Sequence, residues 1–420
     1  MNEQGIIVKV LIQEEKYNLE YDLEELTNLC NSCLIDVVDT MTQMISSFNK
    51  KTYIGSGKLL ELKTLVDNND ISIVIFDDEL SPTQLRNIEE VLEIKVIDRS
   101  MLILDIFRKR AKSNESILEV KLAQLKYLLP RLSSMNSDFS RQGGFQTKGP
   151  GEKQIDLDKR KILEEIYLIE SKLANNRNTR MIQKQKRIHS NIPIVALVGY
   201  TNSGKSTTMN TLIKQTSNRD DKLVYEKDQL FATLDTSVRH IKLKNKFEFM
   251  LIDTVGFVSK LPHHLINSFH STLSDTLDAD LIIHVVDSSN THYNKHISVT
   301  NDVIRSIGAS NIKQLYLLNK CDKQCNIPFL LNEDHMLYSN KSLENFDKLI
   351  SYITNTFKNT LYQDVELHIP YTESKLISYL EGYAITTYKL ISNDFIYYKC
   401  SIKKDDIKQF NDYIVSNINP

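Results

Sequence analysis

GYTNSGKS, residues Gly199–Ser206, follows the apolar run Ile194–Val198 and opens a stretch of helical pattern, and this string decides the fold. Gly199 and Gly204 let the backbone curl so that successive N–H groups, from Tyr200, Thr201, Asn202 and Ser203 to Thr207, point inward at a phosphate. The helix that follows adds the partial positive charge of its N-terminus. Lys205 supplies a full charge, and the Ser206 hydroxyl is a hard oxygen ligand suited to Mg²⁺. A strand, this loop and a helix in sequence predict a phosphate loop at the edge of an open, mainly parallel α/β sheet.

Two further motifs lie at the ends of apolar runs. FMLID leads into DTVG, where Asp253 can hold the Mg²⁺ shell and the N–H of Gly256 can sense a γ-phosphate, with Thr254 and Val255 between them. LYLLN leads into NKCD, where Asp322 can accept from the N1–H and 2-amino group of guanine. Adenine offers neither donor, so a site of this kind discriminates by leaving a carboxylate unpaired. Asn319 steadies the loop, and the alkyl stem of Lys320 covers a face of the base. Order and spacing predict a GTP/GDP site with Mg²⁺. Between the first two motifs, DQLFATLDTSVRH at Asp228–His240 offers Thr233, with Thr236 in reserve, as the residue that reaches Mg²⁺ and the γ-phosphate only in the GTP state. Phe257 follows DTVG, where Ras-like enzymes place a water-orienting glutamine, so slow hydrolysis in isolation is expected.

Outward from this core, 420 residues are too many for one domain. Residues 1 to 104 alternate strand patterns (Gly5–Ile12, Cys33–Val38, Ile71–Phe76, Lys95–Ile97) with helical ones (Asp22–Cys30, Lys58–Asp67, Ser81–Leu92), as a small parallel α/β domain requires. Residues 105–190 form a second segment, in which Leu118, Leu122, Leu125 and Leu129 recur at alternating four and three, and Pro130 is expected to end that helix. Ile155, Ile162, Ile166, Ile169 and Leu173 continue the rhythm in a second helix, which predicts an antiparallel hairpin. Its loop, SRQGGFQTKGPGE at Ser140–Glu152, carries four of the twelve glycines. Residues 191–360 form the nucleotide-binding domain, and residues 361–420 a small α+β domain of two or three strands around a helix at Thr372–Gly382.

Charge is unevenly spread. The formal net charge is −2, yet Ile106–Ser190 holds 19 Lys and Arg against 9 Asp and Glu. An excess of one sign beside a glycine-rich tip predicts contact with a polyanion, and RNA is the expected partner rather than DNA. No apolar run of eighteen residues occurs, and MNEQGIIVKV lacks the basic start and apolar stretch of a signal peptide, so a cytosolic chain is expected, at most loosely attached to a membrane. Five cysteines, with one CxxC at Cys30–Cys33 and no companion ligands, are read as reduced thiols.

Beyond the phosphate-binding motifs, the chain resembles the HflX family of ribosome-associated GTPases along nearly its whole length. The resemblance is carried by YIGSGKLLEL (Tyr53–Leu62), FDDELSPTQLRN (Phe76–Asn87), IDRSMLILDIF (Ile97–Phe107), VKLAQLKYLLPRL (Val120–Leu132) and GGFQTKGPGE (Gly143–Glu152). GYTNSGKST, DQLFATLDT and DTVGFVSKLP extend it into the nucleotide domain. It implies a monomer whose N-terminal domain and hairpin engage RNA of the large (50S) ribosomal subunit. Arg141, Gly143, Gly144, Lys148 and Gly149 would be the contacting residues, with the loop near the peptidyl-transferase centre. It also implies GTP-dependent separation of stalled or idle 70S ribosomes, with hydrolysis stimulated by the ribosome. Two alternatives remain at this point: a ribosome-assembly GTPase, and a GTP-gated RNA-binding module with negligible turnover. Gln146 stands where the family usually has glycine, and Lys153 replaces a common threonine. Ser339-Asn340-Lys341 takes the place of the guanine-supporting Ser-Ala-Lys.

Overall fold

The computed structural model describes residues 2–12, 19–142, 150–188, 192–216, 231, 236–261, 275–323 and 334–417, without the side chains of 133–142, 150–155, 177–188 and 416–417. Its contacts divide into two units. One comprises Met1–Met181 with Lys227–Asp235 and Val255–Leu273; the other comprises Ile182–Glu226, Thr236–Thr254 and Ser274–Pro420.

The first unit opens with a four-stranded sheet of order β2-β1-β3-β4, every pair parallel. Its strands are β1 (Glu3–Ile12), β2 (Ile35–Ile45), β3 (Ile73–Phe76) and β4 (Lys95–Asp98). Helices α1 (Leu19–Ser32), α2 (Ser56–Asn68) and α3 (Pro82–Leu92) make the crossovers. α3 starts as its sequence dictates: Ser81 Oγ accepts from Gln84 N, the Gln84 side chain returns the bond, and Pro82 fills the first turn. Next comes α4 (Arg99–Arg110), which spans the boundary expected after residue 104.

Behind β1 and β3 lies a buried ionic cluster. Asp77 Oδ1 accepts from Arg99 Nη1 at 2.7 Å, and its Oδ2 takes both Lys9 and Lys260 at 2.8 Å. Arg99 also pairs with Glu25 at 2.8 Å, Lys9 with Asp22 at 2.8 Å, and Lys260 with Asp78 at 2.6 Å. Burial pushes the Asp77 carboxyl upward, but Arg99, Lys260 and Lys9 outweigh it and bring it down to about 2. Asp77→Ala should therefore destabilise the protein by about 3–5 kcal/mol, because it leaves Lys9 and Arg99 buried without their shared anion. Lys260, 40% exposed, should cost about 1 kcal/mol or less as Lys260→Ala. The sign with pH follows: a depressed carboxyl stabilises above its unfolded value near 4 and loses that contribution as pH falls towards 2. Urea midpoints of wild type and Asp77→Asn should converge over that window. A constant difference would rule the account out.

α5 (Asn114–Gln142) and α6 (Pro150–Ile188) are the long hairpin helices, and Leu118, Leu122, Leu125 and Leu129 pack on Ile162, Ile166, Ile169 and Leu173 as the heptad rhythm requires. Lys126–Glu170 at 2.7 Å and Lys121–Glu165 flank the seam. Pro130 does not end the first helix, contrary to expectation; α5 runs through it. The turn around the proline is anchored from outside. Tyr127 Oη donates to Asp98 at 2.6 Å, and Arg131 lies over the Tyr127 ring while donating to Tyr127 O at 2.7 Å and Asp98 at 3.1 Å. Those contacts offset the hydrogen bond that the proline cannot make.

The second unit holds a six-stranded sheet of order β10-β9-β8-β5-β7-β6, built from β5 (Ile194–Val198), β6 (Ser237–Lys242), β7 (Glu248–Asp253), β8 (Leu281–Asp287), β9 (Lys313–Asn319) and β10 (His335–Leu337). All pairs are parallel except β6 with β7. Helices α7 (Lys205–Thr216), α8 (Tyr293–Ser306) and α9 (Phe346–Leu361) accompany it. A four-stranded antiparallel sheet follows, of order β12-β13-β11-β14, from β11 (Tyr362–Pro370), β12 (Ile385–Ile391), β13 (Phe395–Lys403) and β14 (Ile414–Asn417), with α10 at Ser374–Tyr383. This is the mixed α/β class expected from the alternating pattern. Among the described residues, no helix is long and apolar enough to cross a membrane, and no group of three or more metal-ligating side chains stands together.

Candidate nucleotide site

The carboxyl ends of β5, β7, β8 and β9 converge, and the motif residues lie in the turns that leave them. Gly199 adopts φ +151°, and a Cβ there would sit 2.3 Å from Val285 O on the neighbouring strand. Gly204 has φ +100°, with its missing Cβ 2.2 Å from Asn319 Nδ2. Both positions demand glycine, one for the close pass over β8 and one for the approach of the Asn319 amide.

Within the loop, Lys205 Nζ donates to Gly199 O at 3.1 Å and Tyr200 O at 2.8 Å. Burial lowers its pKa to about 8, with Asp253 acting in the opposite sense. Ser206 Oγ donates to Asp253 Oδ2 at 2.6 Å, whereas the buried Oδ1 of Asp253 has no hydrogen-bond partner among the described residues. Burial raises this carboxyl to about 6 despite the bond from Ser206 and the charge of Lys205. The hydroxyls of Thr201 and Ser203 are likewise buried without partners among the described residues. Among the described residues, a carboxylate oxygen and two hydroxyls thus stand unsatisfied around one loop beside the buried ammonium of Lys205, which is a donor and acceptor set that phosphate and a hard cation complete. Tyr200 stacks on His296 at 3.9 Å between ring centroids, which holds the start of the loop against α8. Thr207 opens α7 beside Ser206 and is half-buried.

On β9 and beyond, Asn319 Nδ2 donates to Ser203 O at 2.8 Å. Lys320, at φ +64°, sends its ammonium to Asn202 O at 3.0 Å and Asp287 Oδ2 at 2.7 Å. Asp322 is exposed and accepts from the buried Ser339 hydroxyl at 2.7 Å, a bond that holds its carboxyl below the usual range. Ser339 Oγ also accepts from the N–H groups of Lys341 (3.2 Å) and Ser342 (3.1 Å), closing the turn. Asn340 lies against Asn319, Thr208 and Gly204.

Not every expected residue reaches this cluster through its side chain. Thr254 turns its hydroxyl to Leu197 O at 2.7 Å, a bond between strands. Val255 and Gly256 are buried and fall in the first unit with the segment that continues to Ser259 and Lys260. Phe257 is buried at 2% exposure. Thr233, Gly143, Gly144, Lys148 and Gly149 lie outside the described residues, and of Arg141 only the helical backbone is described. Asp287 and Thr208 escaped the sequence reading. The signal for Asp287 was present, a carboxylate closing the apolar run LIIHVVD; Thr208 had none, because a helical threonine after a phosphate loop looks like any other.

Residues 20–108 match the family described as GTP-binding GTPase N-terminal, residues 110–187 the GTP-binding GTPase middle region, and residues 194–320 the 50S ribosome-binding GTPase. A curated relative, GTPase HflX of Caldanaerobacter subterraneus subsp. tengcongensis, is 39% identical over 420 residues, covering 99% of this chain and 94% of the relative. This chain belongs to the HflX family of GTPases. GTPase HflX of Escherichia coli (strain K12) is 39% identical over 76% of this chain and 73% of its own. Among solved structures, a GTP-binding protein from Sulfolobus solfataricus in complex with GDP is similar at 24% identity and a TM-score of 0.43, covering 84% of this chain and 98% of that one. As an HflX-family member the chain binds guanine nucleotide and hydrolyses GTP.

Proposed function

We propose that this GTPase binds the large ribosomal subunit and, in its GTP state, separates 70S ribosomes into subunits. The observation that carries the nucleotide half of the reading is the Lys205–Ser206–Asp253 arrangement, with one carboxylate oxygen buried at the end of β7 and without a partner among the described residues. Ser206 and Asp253 would hold Mg²⁺, with Thr233 joining them in the GTP state. The ion would supply charge neutralisation at the β- and γ-phosphates. Lys205 binds the same phosphates as a full cation, since a nearby anion restores the charge that burial disfavours. The N–H groups of Tyr200–Ser206 orient the triphosphate, and Gly256 reports the presence of its last phosphoryl group. Asp322, held by Ser339, selects the base, while Asn319 and Lys320 tie its loop to the phosphate loop.

The ribosomal half is supported by the matched family's description as 50S ribosome-binding and by the basic hairpin segment, whose tip carries Arg141, Gly143, Gly144, Lys148 and Gly149. Sucrose-gradient sedimentation of purified 70S ribosomes with the protein tests it. GTP or a non-hydrolysable analogue should convert 70S particles to subunits and GDP should not. Association confined to immature particles would point to assembly instead. Equal ribosome binding with every nucleotide, unchanged in Lys205→Ala, would favour a passive RNA-binding module.

A further inference from the structure

Asn340 follows Ser339 in the turn after β10, and its side chain is wedged between the Asn319 amide and the start of α7. Its Nδ2 lies 3.0 Å from Thr208 Oγ1 and 3.3 Å from Asn319 Oδ1, with Gly204 O at 3.5 Å, the limit of bonding range. Its backbone N–H also faces Asn319 Oδ1, at 3.4 Å. Thr208 in turn donates to Gly204 O at 2.9 Å, so a relay runs from Asn340 through Thr208 to the phosphate loop.

Asn319 is thereby held from both ends. Its NH₂ donates to Ser203 O at 2.8 Å, and its oxygen faces the two donors of Asn340. Turned over, that amide would set NH₂ against two N–H donors and its oxygen against a carbonyl, losing every bond at once. Gly204 is the opening through which both amides enter. A Cβ there would stand 2.2 Å from the nitrogen of Asn319 and 3.4 Å from that of Asn340.

We propose that Asn340 is a positioning residue that fixes the Asn319 amide and, with Thr208, couples the guanine-reading turn to the phosphate loop. The inference rests on the nucleotide site described above. Asn340→Ala would keep the backbone N–H on Asn319 but remove the donor to Thr208 and one of the two donors that hold the Asn319 oxygen.

The test is the release rate of GDP carrying a fluorophore on its ribose, from wild type, Asn340→Ala, Thr208→Val and the double variant. One hydrogen bond of this kind corresponds to about a three- to ten-fold change in rate. Each single variant should release GDP faster by about that factor. The double variant should be no faster than the faster single, because both substitutions remove the same link. The melting temperature of nucleotide-free Asn340→Ala should stay within about 2 °C of wild type, whereas a merely structural role would lower it without moving the release rate. Unchanged release in Asn340→Ala, or multiplying effects in the double variant, would overturn the proposal while leaving the guanine site intact. Failure of the wild type to bind the labelled GDP would overturn both.

Discussion

Asp322→Asn should lose affinity for guanine nucleotides by a factor on the order of 10⁴ and gain affinity for xanthine nucleotides. In the proposed site the carboxylate would accept from two donors on guanine, whereas an amide keeps one acceptor and turns a donor pair towards the other. Guanine then meets NH₂ with NH₂. Xanthine carries a carbonyl at that carbon, so the same amide finds an acceptor. Ser339, whose hydroxyl reaches Asp322 at 2.7 Å, can donate to the amide oxygen as it does to the carboxylate, so the turn survives the change. Competition of GDP, XDP and ADP against a fluorescent nucleotide reads the result. If the variant kept GDP within ten-fold of wild type, Asp322 would not be the base-reading group.

Turnover should rise by about 10³–10⁵ when large ribosomal subunits are added, by analogy with activators that insert a charge-stabilising group. The reason lies at Phe257, which occupies the position after DTVG with a buried hydrocarbon ring that can neither donate to a water molecule nor accept from one. Phosphate release measured with and without 50S particles decides the matter. Equal rates would place the missing group within the chain itself.

Much of this architecture was readable from residues alone, because the phosphate loop, DTVG and NKCD each end a strand whose apolar run is unmistakable. The crossovers of the N-terminal sheet were equally plain, since α3 announces itself with Ser81, Pro82 and Gln84. α4 left no periodic trace: Leu102, Ile103, Leu104, Ile106 and Phe107 are all buried, so the helix is apolar on most of its circumference. β6 hid for the opposite reason, since SVRHIK is a half-exposed edge strand whose single deeply buried residue is Ile241. β10, three residues long, is too short to carry a pattern. At the nucleotide site the motif residues could be listed, but not the bonds among them. That Asn340 and Thr208 meet is a fact of a turn and a helix 132 residues apart in the chain.

The stretch that leaves β7 through Gly256 does not end as a loose loop. Its Ser259 carbonyl accepts from Arg99 at 3.1 Å, and Lys260 shares Asp77 with the N-terminal sheet. The segment proposed to sense the last phosphoryl group is therefore moored at its far end to the buried charge of the unit it belongs to. Equilibrium thermodynamics makes such a mooring work in both directions. If GTP shifts this stretch, then a large assembly that grasps the N-terminal domain and strains the Asp77 pairs must, by the same free energy, alter how tightly the nucleotide is kept.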